Sequence, residues 1–426
     1  MEAAVVVQAT GREPENTHNV PSTLWDKLAL HQRAFVTWLS GSPARRRGAI
    51  LGDAPGLGKT VQAVAIVSQA VAEAGEGHRI LVVAPANVVP VWAAEFARFA
   101  PDIQVVAGGV GLESAPRVFT RLGGSKGGVV AVVSHELMRL HSHVLASAGA
   151  SLDLLVVDEA HRFKNVDAVG ARALLAFPAL RRLLLTATAL SNNIGELRGL
   201  LACVDPAAWS GNQSFQYLYA GPIERSRRED ATAAQRVVGG VVFRQLQGAV
   251  TELLLRRDVG VLERGLPALT TYVLVVRPTP LQDRVLRALA ALGASTGARV
   301  KQALQVCGAL RQVCANPLMQ LRSGAVGDFA VRGELARPPD DPDNVIKLSG
   351  TLQAVAAMLD AALDDTNRKI IVVGEWQKSL DYLRAYLSRK HPGVECSVMS
   401  GGTAKKDWTR LLERLNAGAL RVLLLT

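Results

Sequence analysis

Between Gly48 and Asp205 the chain repeats one pattern: a short β-branched or leucine-rich run, a turn, then a longer amphipathic stretch. The runs are apolar at consecutive positions and not at alternate ones, which predicts strands buried on both faces, as in a parallel sheet covered by helices. Strands are expected at 49–51, 80–84, 129–133, 154–157 and 182–185. From Pro206 to about Ser349 the pattern changes to long helical stretches with Arg-, Asp- and Gln-rich turns, and residues 336–343 (ARPPDDPD) read as an exposed linker. Alternation then resumes, with strands expected at 369–373 and 421–425 and helices around 379–388 and 407–415. The fold class is α/β: a parallel-sheet lobe, a helical insertion, and an incomplete second lobe starting near Ile346. The expected divisions are an N-terminal extension (1–23), lobe one (24–206), a helical inter-lobe region with linker (207–345) and a partial lobe two (346–426).

Composition narrows this picture. With 426 residues, 49% hydrophobic and 20% charged, the chain can fill two or three cores and is not globally disordered. No apolar run approaches the roughly 20 residues of a membrane span, so no membrane partner is expected. Glu2, Arg12, Glu13 and Glu15 do not resemble a signal peptide. Cys203, Cys307, Cys314 and Cys396 fit neither a disulfide framework nor a paired zinc site, which favours a reducing compartment. Cys307 and Cys314 lie seven apart in an expected helix, hence on one face, and are expected to pack in apolar surroundings. The net charge of +11 suits a polyanionic partner but is spread along the chain, so charge alone does not decide.

The chemistry is concentrated at strand ends. Gly56-Leu57-Gly58-Lys59-Thr60 follows the first strand and opens a helix, the context in which backbone N–H groups surround phosphates. The strict pattern GxxxxGK[ST] asks for glycine at 53, where Asp53 stands, followed by Ala54 and Pro55. Lys59 is expected to reach β/γ-phosphates and the Thr60 hydroxyl to meet Mg²⁺. Asp158 and Glu159 end the 154–157 strand, placing one carboxylate for the metal and one for the attacking water. ATP and Mg²⁺ are the expected cofactors. His161 follows closely, as a link to the neighbouring strand end.

The segment Asp158-Glu159-Ala160-His161-Arg162-Phe163-Lys164-Asn165, taken with the phosphate loop, resembles the SWI/SNF-type ATPases of helicase superfamily two. The resemblance runs from about Leu28 to the last residue. It implies RecA-like lobes and a double-stranded DNA translocase. It makes Gln32, in Leu30-His31-Gln32-Arg33, the adenine reader. It also makes Pro85, at the end of Leu81-Val82-Val83-Ala84-Pro85 and followed by Trp92 and Phe96, part of a DNA-backbone loop. Leu185-Thr186-Ala187-Thr188 through Asn193 corresponds to motif III, with Thr186 and Thr188 coupling hydrolysis to DNA and Asn193 contacting it. Gly402 and Thr403 fit a phosphate-binding turn of lobe two. Leu254-Leu255-Arg256-Arg257 and Leu310-Arg311-Gln312 match landmarks between the lobes, and Pro222-Ile223-Glu224-Arg225 is similar to the Cockayne-syndrome-B and excision-repair-like branch. Chromatin, repair or transcription proteins are implied partners, and the nucleus the implied location.

The chain departs from the family pattern in places. Ala54-Pro55 replaces the usual Glu-Met, Thr351 an expected Lys, and Ser400 an expected Asp. The family's motifs V and VI, with their arginine fingers, would follow Thr426; a fragment of a longer motor with impaired hydrolysis is expected, the alternative being a short, non-catalytic nucleotide- or DNA-binding module. The letters Asp-Glu-Ala-His are shared with RNA-unwinding helicases, but the Arg-x-Lys-Asn continuation and Leu-Leu-Arg-Arg oppose that assignment.

Overall fold

In a computed structural model, the described residues are 16, 19–109, 115–124, 128–147, 151–187, 194–262, 269–295, 300–319, 341–365, 368–403 and 405–426. The chain divides into two compact units, Met1–Ala268 and Leu269–Thr426. The segment expected as one inter-lobe region contributes helices to both, Ala233–Leu253 to the first and Pro280–Ser295 and Val300–Ala315 to the second. Of the expected linker, 336–340 lie outside the described residues. Asp341 caps the Pro342–Lys347 helix, with Pro342 on the first turn where a missing N–H costs nothing.

The first unit is built on a seven-stranded sheet in the order β3-β4-β2-β5-β6-β1-β7. The strands are β1 (Gly48–Leu51), β2 (Arg79–Ala84), β3 (Val105–Ala107), β4 (Val129–Ser134), β5 (Leu154–Val157), β6 (Arg182–Leu185) and β7 (Leu254–Leu255), and every pairing is parallel. The strand period of two divides each run between two cores. Ile50, Leu81, Val83, Val133, Leu155, Val157 and Leu184 face one side, while Ala49, Leu51, Ile80, Val82, Val132, Val156, Leu183 and Leu185 face the other. This two-sided burial is why the runs are continuously apolar. Because all strands run the same way, the loops after β1, β2, β5 and β6 emerge from one edge of the sheet.

The second unit carries a smaller parallel sheet, β8-β10-β9, with β8 (Ile370–Val373), β9 (Cys396–Met399) and β10 (Val422–Leu425). The Gly350–Leu363 and Gln377–Lys390 helices pack against it through Leu352, Leu359, Leu380, Leu383 and Leu387. On β8 the side chains of Ile371 and Val373 are exposed.

The cysteine expectation is corrected. Cys307 and Cys314 do share the Val300–Ala315 helix, but both are exposed. The inward position is Val313, fully buried against Leu281, Val285 and Leu289 of the preceding helix, so its neighbour Cys314 turns outward. Cys203 is the buried thiol, and burial pushes its pKa up to about 12. A thiol-reactive dye at neutral pH is expected to label Cys307 and Cys314 fast and Cys396, partly buried and pushed up to about 11, slowly. Cys203 should react only on unfolding; labelling of native Cys203 at the rate of Cys307 would contradict this placement.

Candidate nucleotide site

The residues expected to handle nucleotide are positioned by ladder bonds that continue past the strand ends. Gly52 N–H donates to Leu255 O (2.7 Å), Thr186 N–H to Leu51 O (3.1 Å) and Asp158 N–H to Val83 O (2.8 Å). With β6 lying between β1 and β5, the loop 52–58, Thr186 and Asp158 leave the same sheet edge in that spatial order.

Asp53 to Gly58 form the loop. Gly56 and Gly58 have φ of +88° and +73°, a region that L side chains rarely adopt. At Gly58 a Cβ would also lie 2.4 Å from Gln32 Nε2. The 16-residue helix Lys59–Ala74 starts directly after, its first-turn N–H groups at the loop and its body buried from Val61 to Ser68. Thr60 stands on that first turn. Lys59 Nζ donates to the carbonyls of Asp53 (2.8 Å) and Ala54 (3.3 Å). Pro55 and Gly56 are exposed, and Leu57 is buried.

Gln32 is placed against this loop, not apart from it. Its Nε2 donates to Leu57 O (3.2 Å), while its Oε1 accepts from Ala29 N–H (2.9 Å) at the start of the Leu30–Ser40 helix. His31 Nε2 lies 3.0 Å from the same Leu57 carbonyl, and burial lowers its pKa.

Asp53 is wholly buried. It is met by Arg257, which sequence reasoning treated only as a landmark. Arg257 Nε and N–H donate to Oδ1 at 3.0 and 3.1 Å, and Nη2 donates to Oδ2 at 2.5 Å. Gln62 Nε2 adds a bond to Oδ2 at 3.2 Å. A buried acid in place of glycine needs a cation beside it; the acid is visible in the sequence, but its partner 204 positions away is not.

The Asp158 carboxylate accepts from Trp92 Nε1 (2.9 Å) at Oδ2 and from Glu159 N–H (2.9 Å) at Oδ1. Burial pushes its pKa up, against the pull of the Trp92 hydrogen bond. A buried indole N–H must find an acceptor, so Trp92 both fills the core and fixes the acid. His135, at the end of β4, was missed by sequence reasoning. Its Nε2 meets Asp158 O (2.9 Å), its Nδ1 meets Arg162 Nη1 (3.1 Å), and burial lowers its pKa. Since the carbonyl can only accept and the guanidinium only donate, the ring is neutral with its proton on Nε2.

Glu159 adopts the left-handed conformation (φ 51°), one of two non-glycine residues with positive φ among the described residues. Such strain is retained where neighbours enforce it. Its Oε2 lies 3.2 Å from His161 Nδ1, which is also 3.3 Å from Thr186 Oγ1. His161 thus brings the β5 and β6 strand ends together.

Pro85 follows β2 and is half-buried. In the second unit Thr403 Oγ1 accepts from Ser400 N–H (3.0 Å), closing a turn on which Gly402 is exposed. Thr188 and Asn193 lie outside the described residues.

Behind the acidic segment, the Ile194–Val204 helix packs so closely that a Cβ on Gly199 would come within 1.7 Å of Lys164 O. Gly199→Ala is expected to cost about 2–3 kcal/mol, since backbone and not a flexible side chain must yield. Chemical denaturation should show it; a loss under about 0.5 kcal/mol would mean that the helix shifts freely.

Among the described residues no cluster of three or more His, Cys, Asp or Glu side chains forms a metal cage. Mg²⁺ needs none, because it is held by one or two protein oxygens together with phosphates and water. Asp158 and Thr60 offer that donor set, and each Asp158 oxygen, carrying one hydrogen bond, retains accepting capacity.

The SNF2-related domain family matches residues 31–319. The chain is 26% identical to Protein CHROMATIN REMODELING 25 of Arabidopsis thaliana, over 95% of this chain and 48% of that protein. It is 26% identical to the DNA repair and recombination protein RAD54 of Oryza sativa subsp. japonica, over 98% of this chain and 46% of that one. With the DNA excision repair protein ERCC-6-like of Mus musculus the values are 25% identity, 86% and 33%. The chain therefore spans half or less of the length of these relatives. The Sulfolobus solfataricus SWI2/SNF2 ATPase core in complex with dsDNA aligns with a TM-score of 0.49 at 18% identity, covering 97% of this chain and 80% of that one.

Proposed function

The chain belongs to the SNF2-related family, and from that premise we propose that it is the nucleotide-handling core of an ATP-driven motor that tracks along double-stranded DNA. The observation that carries this reading is the arrival of Lys59, Asp158, Glu159, His161 and Thr186 at one edge of one parallel sheet, joined in part through His161.

Mg²⁺-ATP, when bound, supplies the cleavable bond between its β- and γ-phosphates. The residues around it divide the remaining work. Amides of Gly56, Leu57, Gly58, Lys59 and Thr60 cradle the phosphates, with Asp53, Ala54 and Pro55 shaping the approach. Lys59 exchanges the carbonyls of Asp53 and Ala54 for phosphate oxygens. Thr60 and Asp158 would hold the metal. Glu159 takes the proton of the attacking water, and His161 orients that carboxylate. Gln32 reads the adenine from its place against Leu57. His161, Thr186 and Thr188 pass the state of the site to DNA, which Pro85, Asn193, Gly402 and Thr403 contact through its backbone.

Residues 24–206 form lobe one in this reading, 346–426 belong to lobe two, and 207–345 connect them. Relatives whose names place them in DNA repair, recombination or chromatin remodelling support a nuclear role of that kind. No helix among the described residues is long and apolar enough to cross a membrane. The motor activity is tested by displacement of a third DNA strand from a triplex. ATP-dependent displacement, slow because hydrolysis is expected to be impaired, that disappears in Lys59→Ala is expected; displacement without ATP, or displacement that survives in Lys59→Ala, would refute translocation.

A further inference from the structure

Arg257 lies 204 positions from Asp53 in sequence, yet the two are locked together beneath the phosphate loop. The guanidinium uses every edge. Nε and Nη2 hold the two Asp53 oxygens, Nη2 also donates to Gln62 Oε1 (2.8 Å), and Nη1 donates to His31 O. The main chain joins in, since Ala54 N–H donates to Arg257 O (2.8 Å). Arg257 is 4% exposed and Asp53 fully buried, so solvent does not loosen the arrangement.

The other side of the same peptide units is where Lys59 sits. Its ammonium rests on the carbonyls of Asp53 and Ala54, the two residues whose side chain and N–H Arg257 holds. Gln62, one turn along the Lys59–Ala74 helix, contacts Asp53, Arg257 and Leu57 O, so the helix start is tied to the same point. His31 connects the Leu30–Ser40 helix to Arg257 through its carbonyl and to the loop through its ring. One cation therefore fixes three segments: the loop, the helix that carries Lys59, and the helix that carries Gln32.

We propose that Arg257 is a positioning residue of the nucleotide site, which sets the resting place of Lys59 by clamping Asp53 and Ala54 and thereby tunes affinity for the β- and γ-phosphates. The proposal rests on the nucleotide reading given above. A lysine at 257 keeps the charge opposite Asp53 but lacks the fork that reaches Gln62 and His31 together.

The test is a double-mutant cycle in the 426-residue chain, with a fluorescent ATP analogue plus Mg²⁺ as probe and the unfolding midpoint recorded for each protein. Arg257→Lys is expected to fold and to weaken binding about tenfold. Because the effect passes through Lys59, adding Arg257→Lys to Lys59→Ala should change affinity by less than about twofold. Unchanged affinity in Arg257→Lys, or losses that simply multiply in the double variant, would overturn the proposal. If Arg257→Lys does not fold, the same cycle is run with Asp53→Asn/Arg257→Gln, which removes both buried charges, and the same outcomes decide. Absence of binding by the unsubstituted chain would overturn the nucleotide reading itself, a result distinct from either.

Discussion

Replacing Glu159 with glutamine is expected to lower ATP hydrolysis by about 10²–10⁴-fold, the range for losing a general base, while ATP binding stays within about threefold. The side chain is partly exposed, at 42%, and packs in no core, so the fold has little to lose. Glutamine keeps the length and one accepting oxygen toward His161 Nδ1 but cannot take a proton from water. The effect should fall on the chemical step alone. Lys59→Ala contrasts with it, because in the proposed site that side chain would meet the phosphates in the ground state as well, and binding and hydrolysis should fall together. Single-turnover hydrolysis with protein in excess, beside a nucleotide titration, separates the two. A Glu159→Gln rate within about threefold of the unsubstituted chain would remove Glu159 from the base role.

Arg257→Ala should destabilise the first unit by about 3–5 kcal/mol, lowering its melting temperature by on the order of 10 °C. The cost arises less from the lost attraction than from the Asp53 carboxylate, buried and left without its cation. Gln62 cannot compensate, since its Nε2 already donates to Asp53 and to Leu57 O. An exposed pair gives the comparison: Arg368 and Asp365 are in contact at 2.9 Å but 63% and 48% exposed, so Arg368→Ala should leave stability nearly unchanged. Scanning calorimetry reads both. A loss below about 1 kcal/mol for Arg257→Ala would mean that water reaches Asp53 in the variant.

The parts of the fold visible in the sequence are those in which burial leaves a strong pattern. β1, β2, β4, β5 and β6 appear at the expected places within a residue because they are covered on both faces. β8 and β10 also appear within a residue of the expected places, β10 because it is largely buried and β8, although Ile371 and Val373 are exposed, because its run is continuously β-branched. Three strands were not anticipated, each for a local reason. β3 has three residues before a glycine pair, β7 has two residues at the end of the 21-residue Ala233–Leu253 helix, and β9 (CSVM) is only partly covered. None of them produces a run long enough to be distinguished from helix or turn.

The site divides in the same way. Residues adjacent in sequence, such as Lys59 with Thr60 or Asp158 with Glu159, declare themselves through their spacing. Partners from distant segments do not. Trp92 on Asp158, His135 between Asp158 and Arg162, and Arg257 on Asp53 depend on strand order, which local periodicity does not encode. The cysteine pair failed for a related reason. Seven-residue spacing fixes a common face of a helix, but only the neighbouring helix decides which face is covered, and that was the face of Val313.

These residues are proposed to form a nucleotide site whose turnover answers to duplex DNA. This is tested most directly by the steady-state rate of ATP hydrolysis with and without double-stranded DNA, for the unsubstituted chain and for Lys59→Ala. A rate raised by DNA and abolished in Lys59→Ala is expected. A rate indifferent to DNA, or one that survives in Lys59→Ala, would contradict it.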